Sequence, residues 1–262
     1  MKPYLLKHCP PNPTLEYCQQ LKKKIPKKCK EIISQGGGST IDVGKWLAKE
    51  LYLEHTAIPT TAGTGSEVTK FCVLTIDGKK TTLEDETYIP AAYVLDPRLL
   101  MSLPREQTIS SGLDALSQAF ESQWSKNATP ESKNYSQMAI NLALKNLLSC
   151  LRIYWKEEFR MNMLLAANFS GRAINITRTN ICHAISYPLT EWYNIPHGLA
   201  CGLSLEYFVK KIAGIDLKDF MLYLNLPKFE IDRERVADEV LKNEKIKDCP
   251  IKITKEDIIN SI

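Results

Sequence analysis

The 262-residue sequence contains no apolar run long enough to span a bilayer, and its opening, MKPYLLKHCPPNP, lacks the apolar core of a secretory signal. Membrane insertion and export are therefore not expected, and a cytoplasmic protein is. Paired metal-type cysteines are also missing. Eight cysteines occur, but no two are spaced C-x-x-C, which argues against a zinc knuckle and a redox pair. Several stand in apolar runs, where a thiol behaves as a small hydrophobe, and reduced thiols suit the cytoplasm. Strong charge is lacking too. A net charge of +4 is too weak to argue for nucleic acid. The densest basic run, Lys22, Lys23, Lys24, Lys27, Lys28 and Lys30, has no interleaved aromatics and reads as a solvated helix face. There is no internal repeat, no low-complexity tract and no G-x-G-x-x-G dinucleotide fingerprint.

What is there suffices for a sizeable core. Hydrophobic residues make up 44% of the chain and charged residues 24%, which suits one large soluble domain or two modest ones. Residues from Leu15 to about Lys24 read as a polar helix. Glu31 to Gln35 is a short strand candidate running into Gly36-Gly37-Gly38-Ser39, after which helical spacing holds from about Thr40 to Leu51. His55 to Pro59, Val68 to Ile76 and Ala91 to Leu95 are further strand candidates, the second ending at an Asp77-Gly78 turn signal. After Pro104 the strand signals fade and helices are expected over 106–124, 131–152, 158–176 and 180–190. The expected fold is α/β plus all-α: residues 1–103 form a partial dinucleotide-binding α/β domain, and 104–262 a helical domain for metal and substrate.

A glycine turn between strand and helix is a general anion site, because backbone N–H groups approach closely and the helix dipole favours negative charge. Gly36 to Gly38 suit that role, with Ser39 as cap or phosphate ligand, although a simple turn would also explain a glycine triplet. The second loop strengthens the case. Thr60, Thr61, Thr64 and Ser66 bring hydroxyls beside Gly63 and Gly65, and two such loops at consecutive strand ends face one crevice.

The helical half carries a second constellation. Asp114 and Gln118 are four apart and share one helix face; His183 and His197 follow in CHAISYPL and YNIPHG. An Asp with two His residues is a donor set for a divalent transition metal. Each also has a structural reading, as a hydrogen-bonded core histidine or as an acid favoured early in a helix.

GGGSTIDVGK and PTTAGTGSEVT resemble the two cofactor loops of the iron-dependent alcohol dehydrogenases. The resemblance implies NAD(P)H as cofactor, with Gly37, Gly38 and Ser39 on the pyrophosphate, Asp42 in the same loop region, and Thr60, Thr61, Thr64 and Ser66 near the phosphates and nicotinamide ribose. Asn12 and Lys80 match cofactor positions of the family. Its metal is held by an Asp, a His four residues later and two further His residues, so Asp114, His183 and His197 match and Gln118 stands in the second position with only an amide oxygen to offer. Fe2+ is the implied metal, with Zn2+ or none left open. A further family histidine is Tyr187 here, which becomes the candidate proton donor. DALSQAFESQWSKNATPES, GRAINITRT and HAISYPLTEWYNIPHG most resemble the branch that reduces phosphonoacetaldehyde. A guanidinium suits a phosphonate, so Arg178, one helical turn before His183, and Arg172 are the candidate substrate ligands; a salt bridge is the alternative for each.

The implied function is NAD(P)H-dependent, metal-assisted reduction of an aldehyde to a primary alcohol, with phosphonoacetaldehyde giving 2-hydroxyethylphosphonate. In this scheme Asp114, His183, His197 and Tyr187 are catalytic. The alternatives are a non-catalytic relative acting as a binding or subunit protein, and a metal-independent lyase-like relative. Family members carry a βαβ portion ahead of the Asn-Pro-Thr segment, which here begins at residue 12. An incomplete sheet with exposed strand edges is therefore expected, as is a homodimer.

Overall fold

The computed structural model describes residues 9–262. Thr14 caps α1 (Leu15–Lys24) by accepting from the Tyr17 amide. The chain then alternates β1 (Glu31–Gly36), α2 (Gly38–Leu51) and β2 (Glu54–Pro59), and after a hairpin of β3 (Phe71–Ile76) and β4 (Lys79–Glu84) adds β5 (Ala92–Tyr93). β1, β2 and β5 lie side by side in that order, all parallel, with Glu31 opposite Glu54 and Thr56 opposite Ala92. Parallel neighbours bring their carboxyl ends to one edge, so the loops after β1 and β2 emerge together. β1 has no partner on its outer side among the described residues, and Ile33 on it is 61% exposed. Buried Val43, Trp46 and Leu47 of α2 pack with Cys18 of α1 and with Cys72 and Leu74 of β3.

Two details depart from the sequence pattern. The strand expected from Val68 begins at Phe71, because Gly65 turns the chain at φ 59 into a short 3-10 turn over Ser66–Val68. β4 carries no apolar alternation beyond Leu83; it is specified by the Asp77-Gly78 turn, whose φ values of 50 and 75 match the twist a tight hairpin needs.

From Arg105 onward the chain is helical: α3 (Arg105–Trp124), α4 (Pro130–Arg152), α5 (Glu157–Thr177), α6 (Ile181–Tyr193) and α7 (His197–Phe208), then the short α8 (Lys218–Leu224), α9 (Arg233–Val240) and α10 (Lys255–Ser261). The four anticipated helices lie within three residues of their expected bounds. Every residue of α3 from Thr108 to Ser122 is buried. A helix buried on all sides is ordinarily apolar, yet this one carries Asp114, Ser117, Gln118, Glu121 and Ser122, and those polar residues need partners.

The two halves meet where the loop after β2 crosses α5. A Cβ on Gly171 would lie 2.6 Å from the Gly65 carbonyl oxygen, and one on Gly65 would lie 2.6 Å from the Gly171 Cα. Backbone meets backbone there, so no side chain can yield. Gly171→Ala is expected to cost about 1–3 kcal/mol, read as a lowered urea midpoint with an unchanged slope. A second expectation concerns His55, buried between the strands with its Nε2 2.9 Å from Ser34 Oγ. Burial, helped by the Lys45 charge, pulls its pKa down to about 4 from 6.5. The unfolded chain therefore binds the proton first as pH falls. The stabilisation is intact above pH 6.5 and shrinks toward pH 4, by about 1.4 kcal/mol per unit at most. Urea unfolding at pH 7 and pH 5 should show that loss, and His55→Gln should flatten it.

Candidate active site

The polar face of α3 finds its partners at the start of α6. Glu121, wholly buried, accepts from the amides of Cys182 (2.6 Å) and His183 (3.1 Å) through one oxygen, and its other oxygen lies 2.5 Å from His183 Nδ1. A carboxylate at a helix N-terminus is favoured by the dipole as well as by these bonds. Asn180 completes the joint: its amide donates to the Glu121 carbonyl, and its oxygen accepts from Trp124 Nε1 and the Ile181 amide. With Nδ1–H donated to Glu121, His183 Nε2 faces the other way, 3.3 Å from Asp114 Oδ1. It is sealed from solvent and makes no hydrogen bond. Carboxylate–histidine pairs of this kind orient metal ligands.

α7 delivers the second histidine. Gly198 lets its first turn press on α3, since a Cβ there would lie 1.9 Å from the Ser110 carbonyl oxygen. His197 Nε2 thereby reaches 3.8 Å from Asp114 Oδ1, and Ser186 Oγ lies 3.2 Å from its Nδ1. Cys201, one turn along α7, places Sγ 4.0 Å from His197 Nε2. One donor atom from each of Asp114, His183, His197 and Cys201 falls within 4.8 Å of all the others.

The electrostatics suit a cation. Burial opposes ionisation of Asp114, but the neighbouring His183 ring and the Lys80 charge outweigh it and hold the carboxyl below its usual range. Burial and the Lys80 charge drive His197 down to about 3, so it stays neutral with one ring nitrogen's lone pair free. For His183 burial works against the charged ring, and the charges of Cys201 and Glu121 override it, raising the pKa well above 6.5. A site that favours a proton at that point favours a metal in its place. The donors present, with an orphaned buried Nε2 among them, fit a divalent transition metal.

Asp114, His183 and His197 of this cluster line a cavity of about 850 Å³, a size that accepts a cofactor. The same wall holds Asn12, Gly37, Gly38, Ser39, Asp42, Thr61, Thr64, Ser66 and Lys80, together with Asp114, Gln118, Arg178, His183, Tyr187 and His197. Thr60 is not on it; its amide extends the sheet ladder to the Gly36 carbonyl. Asp42 acts as a brace, accepting from Ser66 Oγ (2.6 Å) and the Val73 amide (3.2 Å), and so ties α2 to the second loop and the hairpin.

Besides Thr60, three candidates sit differently from expectation. Arg172 faces a separate cavity, donating to Asn168 Oδ1 and Tyr93 Oη. Ile174 marks the side of α5 toward the main cavity, and Arg172 lies about 200° round the helix from it. Arg178 does not share a helix with His183. It ends α5 at φ 63, and its guanidinium pairs with Glu84. Gln118 turns its amide nitrogen to Asp114 Oδ1 (3.1 Å) and the Thr64 carbonyl, while its oxygen accepts from Ser170. Sequence reasoning passed over Glu121, Cys201 and Lys245. Glu121 is seven residues after Asp114 on the same helix face, and Cys201 four after His197, so helical spacing alone could have found both. Nothing in its local pattern marks Lys245, which reaches the cavity from a late loop.

Residues 2–97 match the family described as iron-containing alcohol dehydrogenase, and residues 108–214 match the Fe-containing alcohol dehydrogenase family, C-terminal. The chain is 42% identical over 151 residues to phosphonoacetaldehyde reductase of Streptomyces viridochromogenes, covering 57% of this chain and 38% of that protein. It is 32% identical over 203 residues to 1,3-propanediol dehydrogenase of Klebsiella pneumoniae, covering 70% of this chain and 52% of that one. The chain thus spans about half the length, or less, of these curated relatives. The crystal structure of sulfoacetaldehyde reductase from Bifidobacterium kashiwanohense in complex with NAD+ superposes with a TM-score of 0.88 at 28% identity, covering 96% of this chain and 80% of that one. With both family regions matched in succession and the fold shared throughout, the chain belongs to the iron-containing alcohol dehydrogenase family.

Proposed function

We propose that the protein uses NAD(P)H and a divalent metal to reduce an aldehyde with an anionic tail to its primary alcohol, with phosphonoacetaldehyde giving 2-hydroxyethylphosphonate. The observation that carries this reading is the single cavity that joins the two glycine–hydroxyl loops to the Asp114–His183–His197 cluster. Two of the relatives bear the names of reductases for aldehydes with phosphonate or sulfonate groups. In this reading residues 1–103 supply the cofactor half of the cavity, and 104–262 the metal and substrate half.

The bound groups supply Lewis-acid polarisation of the carbonyl and a hydride. The chain supplies placement and protons. Gly37, Gly38 and Ser39 present the N-terminus of α2 to the pyrophosphate, with Thr61 and Thr64 facing it from the second loop. Asn12 and Lys80 approach from the hairpin side. Asp114, His183 and His197 would hold the metal. Tyr187, one turn after His183 on α6 and on the cavity wall, would give its phenolic proton to the substrate oxygen and recover one from solvent. The balance is aldehyde, NAD(P)H and a proton to alcohol and NAD(P)+.

Lys245 is the favoured partner for the anionic tail. Its ammonium lies 5.7 Å from the Tyr187 ring centroid and donates to Thr179 Oγ1 at 2.8 Å. No acid pairs with it among the described residues, whereas Arg178 is already paired with Glu84. Thr190, also on the cavity wall, has a buried hydroxyl with no partner, ready for a phosphonate oxygen.

Steady-state kinetics of the purified protein with ferrous iron and NAD(P)H, comparing phosphonoacetaldehyde with a neutral aldehyde of similar size, test the reading. Turnover should favour the phosphonate. Folded protein that neither turns over nor is stabilised by nucleotide would refute it. Lys245→Gln should raise KM for the phosphonate about tenfold or more, as removal of a charge-assisted hydrogen bond implies, and leave the neutral aldehyde little changed; equal effects on both would remove its role. Arg178→Gln should have a smaller effect of the same kind. Glu121→Gln should lower metal affinity by about 10–100-fold, as loss of a ligand-orienting carboxylate does, measured by competition with a chelator.

A further inference from the structure

The donor set on the cavity wall is short of one ligand if only Asp114, His183 and His197 are counted, and Gln118 does not fill the place. A ligand must present a lone pair. Gln118 presents NH2 toward Asp114, and its one oxygen is engaged by Ser170 Oγ at 3.0 Å. Cys201 is better placed. It is fully buried on α7, one turn after His197 and on the same face, so both side chains reach the cluster from one rigid helix. We propose that Cys201 Sγ is a metal ligand of this protein, completing an Asp114–His183–His197–Cys201 site for zinc or ferrous iron.

The proposal rests on the metal-assisted reading above and on two observations beyond the cysteine itself. The first is His183 Nε2, which is sealed from solvent, has no hydrogen-bond partner and is aimed at the same point by Glu121. The second is the spacing of the donors. Asp114 Oδ1 lies 3.3 Å from His183 Nε2 and 3.8 Å from His197 Nε2, and Cys201 Sγ lies 4.0 Å from His197 Nε2. Four donors around one ion with bonds of about 2.0–2.3 Å stand about 3.3–3.8 Å apart. The cluster is therefore close to a ligand shell, and small rotations complete it. Charge also closes: one carboxylate and one thiolate neutralise a divalent ion, and the two histidines bind as neutral rings. Binding releases the thiol proton to solvent. No other cysteine contributes a donor to the group. A thiolate is a soft ligand, so the site should prefer zinc or ferrous iron over magnesium or manganese.

The test uses the full chain stripped of metal and reloaded with Co(II). A near-ultraviolet sulfur-to-cobalt charge-transfer band is expected beside the visible d–d bands, with one equivalent bound. Cys201→Ser should abolish the charge-transfer band and weaken Co(II) binding about tenfold or more. X-ray absorption of the unmutated zinc-loaded protein should show one sulfur at about 2.3 Å, and this measurement does not depend on how the variant folds. Bound Co(II) with d–d bands but no sulfur band, or a sulfur band that survives Cys201→Ser, would overturn the ligand assignment and leave the metal-assisted reading standing. Failure to bind Co(II) or zinc at all would overturn both.

Discussion

The contact on which the rest of the molecule depends is the one between Glu121 and the first turn of α6. A fully buried carboxylate is tolerated only where its charge is met, and Glu121 meets two backbone amides and an imidazole at once. That single residue fixes where α6 begins, which way the His183 ring is turned and how α6 lies against α3. Removing it would leave the first amides of α6 without acceptors and His183 free to rotate. The expected cost is that of breaking a buried charged pair, about 3–5 kcal/mol. Structure and chemistry are therefore not separable here: the bond that docks the helix is also the bond that aims the ligand.

A similar economy holds at the seam between the halves. The loop after β2 must pass close enough to α5 for its hydroxyls to share a cavity with residues of α3 and α6, and the Gly65–Gly171 approach sets that distance. Asp42 then holds the other side of the loop through Ser66 and carries the same brace to β3. The loop is pinned between a helix of each half. This explains why the cavity walls come from elements far apart in sequence yet lie in one continuous surface.

Much of this was legible in the chain before any coordinates. Parallel strands followed by glycine and hydroxyl loops announce a crevice, because the strand ends and the helix N-terminus must coincide. The long helices follow from spacing alone. What could not be read were orientations. Gln118 occupies a ligand position in sequence, but the side chain turns its oxygen to Ser170, a partner 52 residues away. Arg172 and Arg178 read alike as guanidinium donors near His183; only the phase of α5 and the break at residues 178–180 separate them. β4 escaped notice because its specification lies in a turn rather than in an apolar pattern. Glu121 and Cys201 were within reach of helical spacing, but a Glu and a Cys inside buried helices are ordinary until their partners are seen.

The distribution of charge along the cavity ties these parts into one argument. Its middle is acidic, with Asp114 ionised and Glu121 directly behind His183. The flanks carry the N-terminus of α2 and Lys80 on one side and Lys245 on the other, with Glu84, Glu244 and Asp248 also on the wall. The Lys80 charge is felt at both Asp114 and His197, and Lys245 also acts on His197. Such a pattern would repel a substrate whose negative charge lay at its centre. In the proposed reading the ends take a pyrophosphate and an acidic tail, with a metal cation between them. The depressed His197 follows first from burial, and the Lys80 and Lys245 charges add to it.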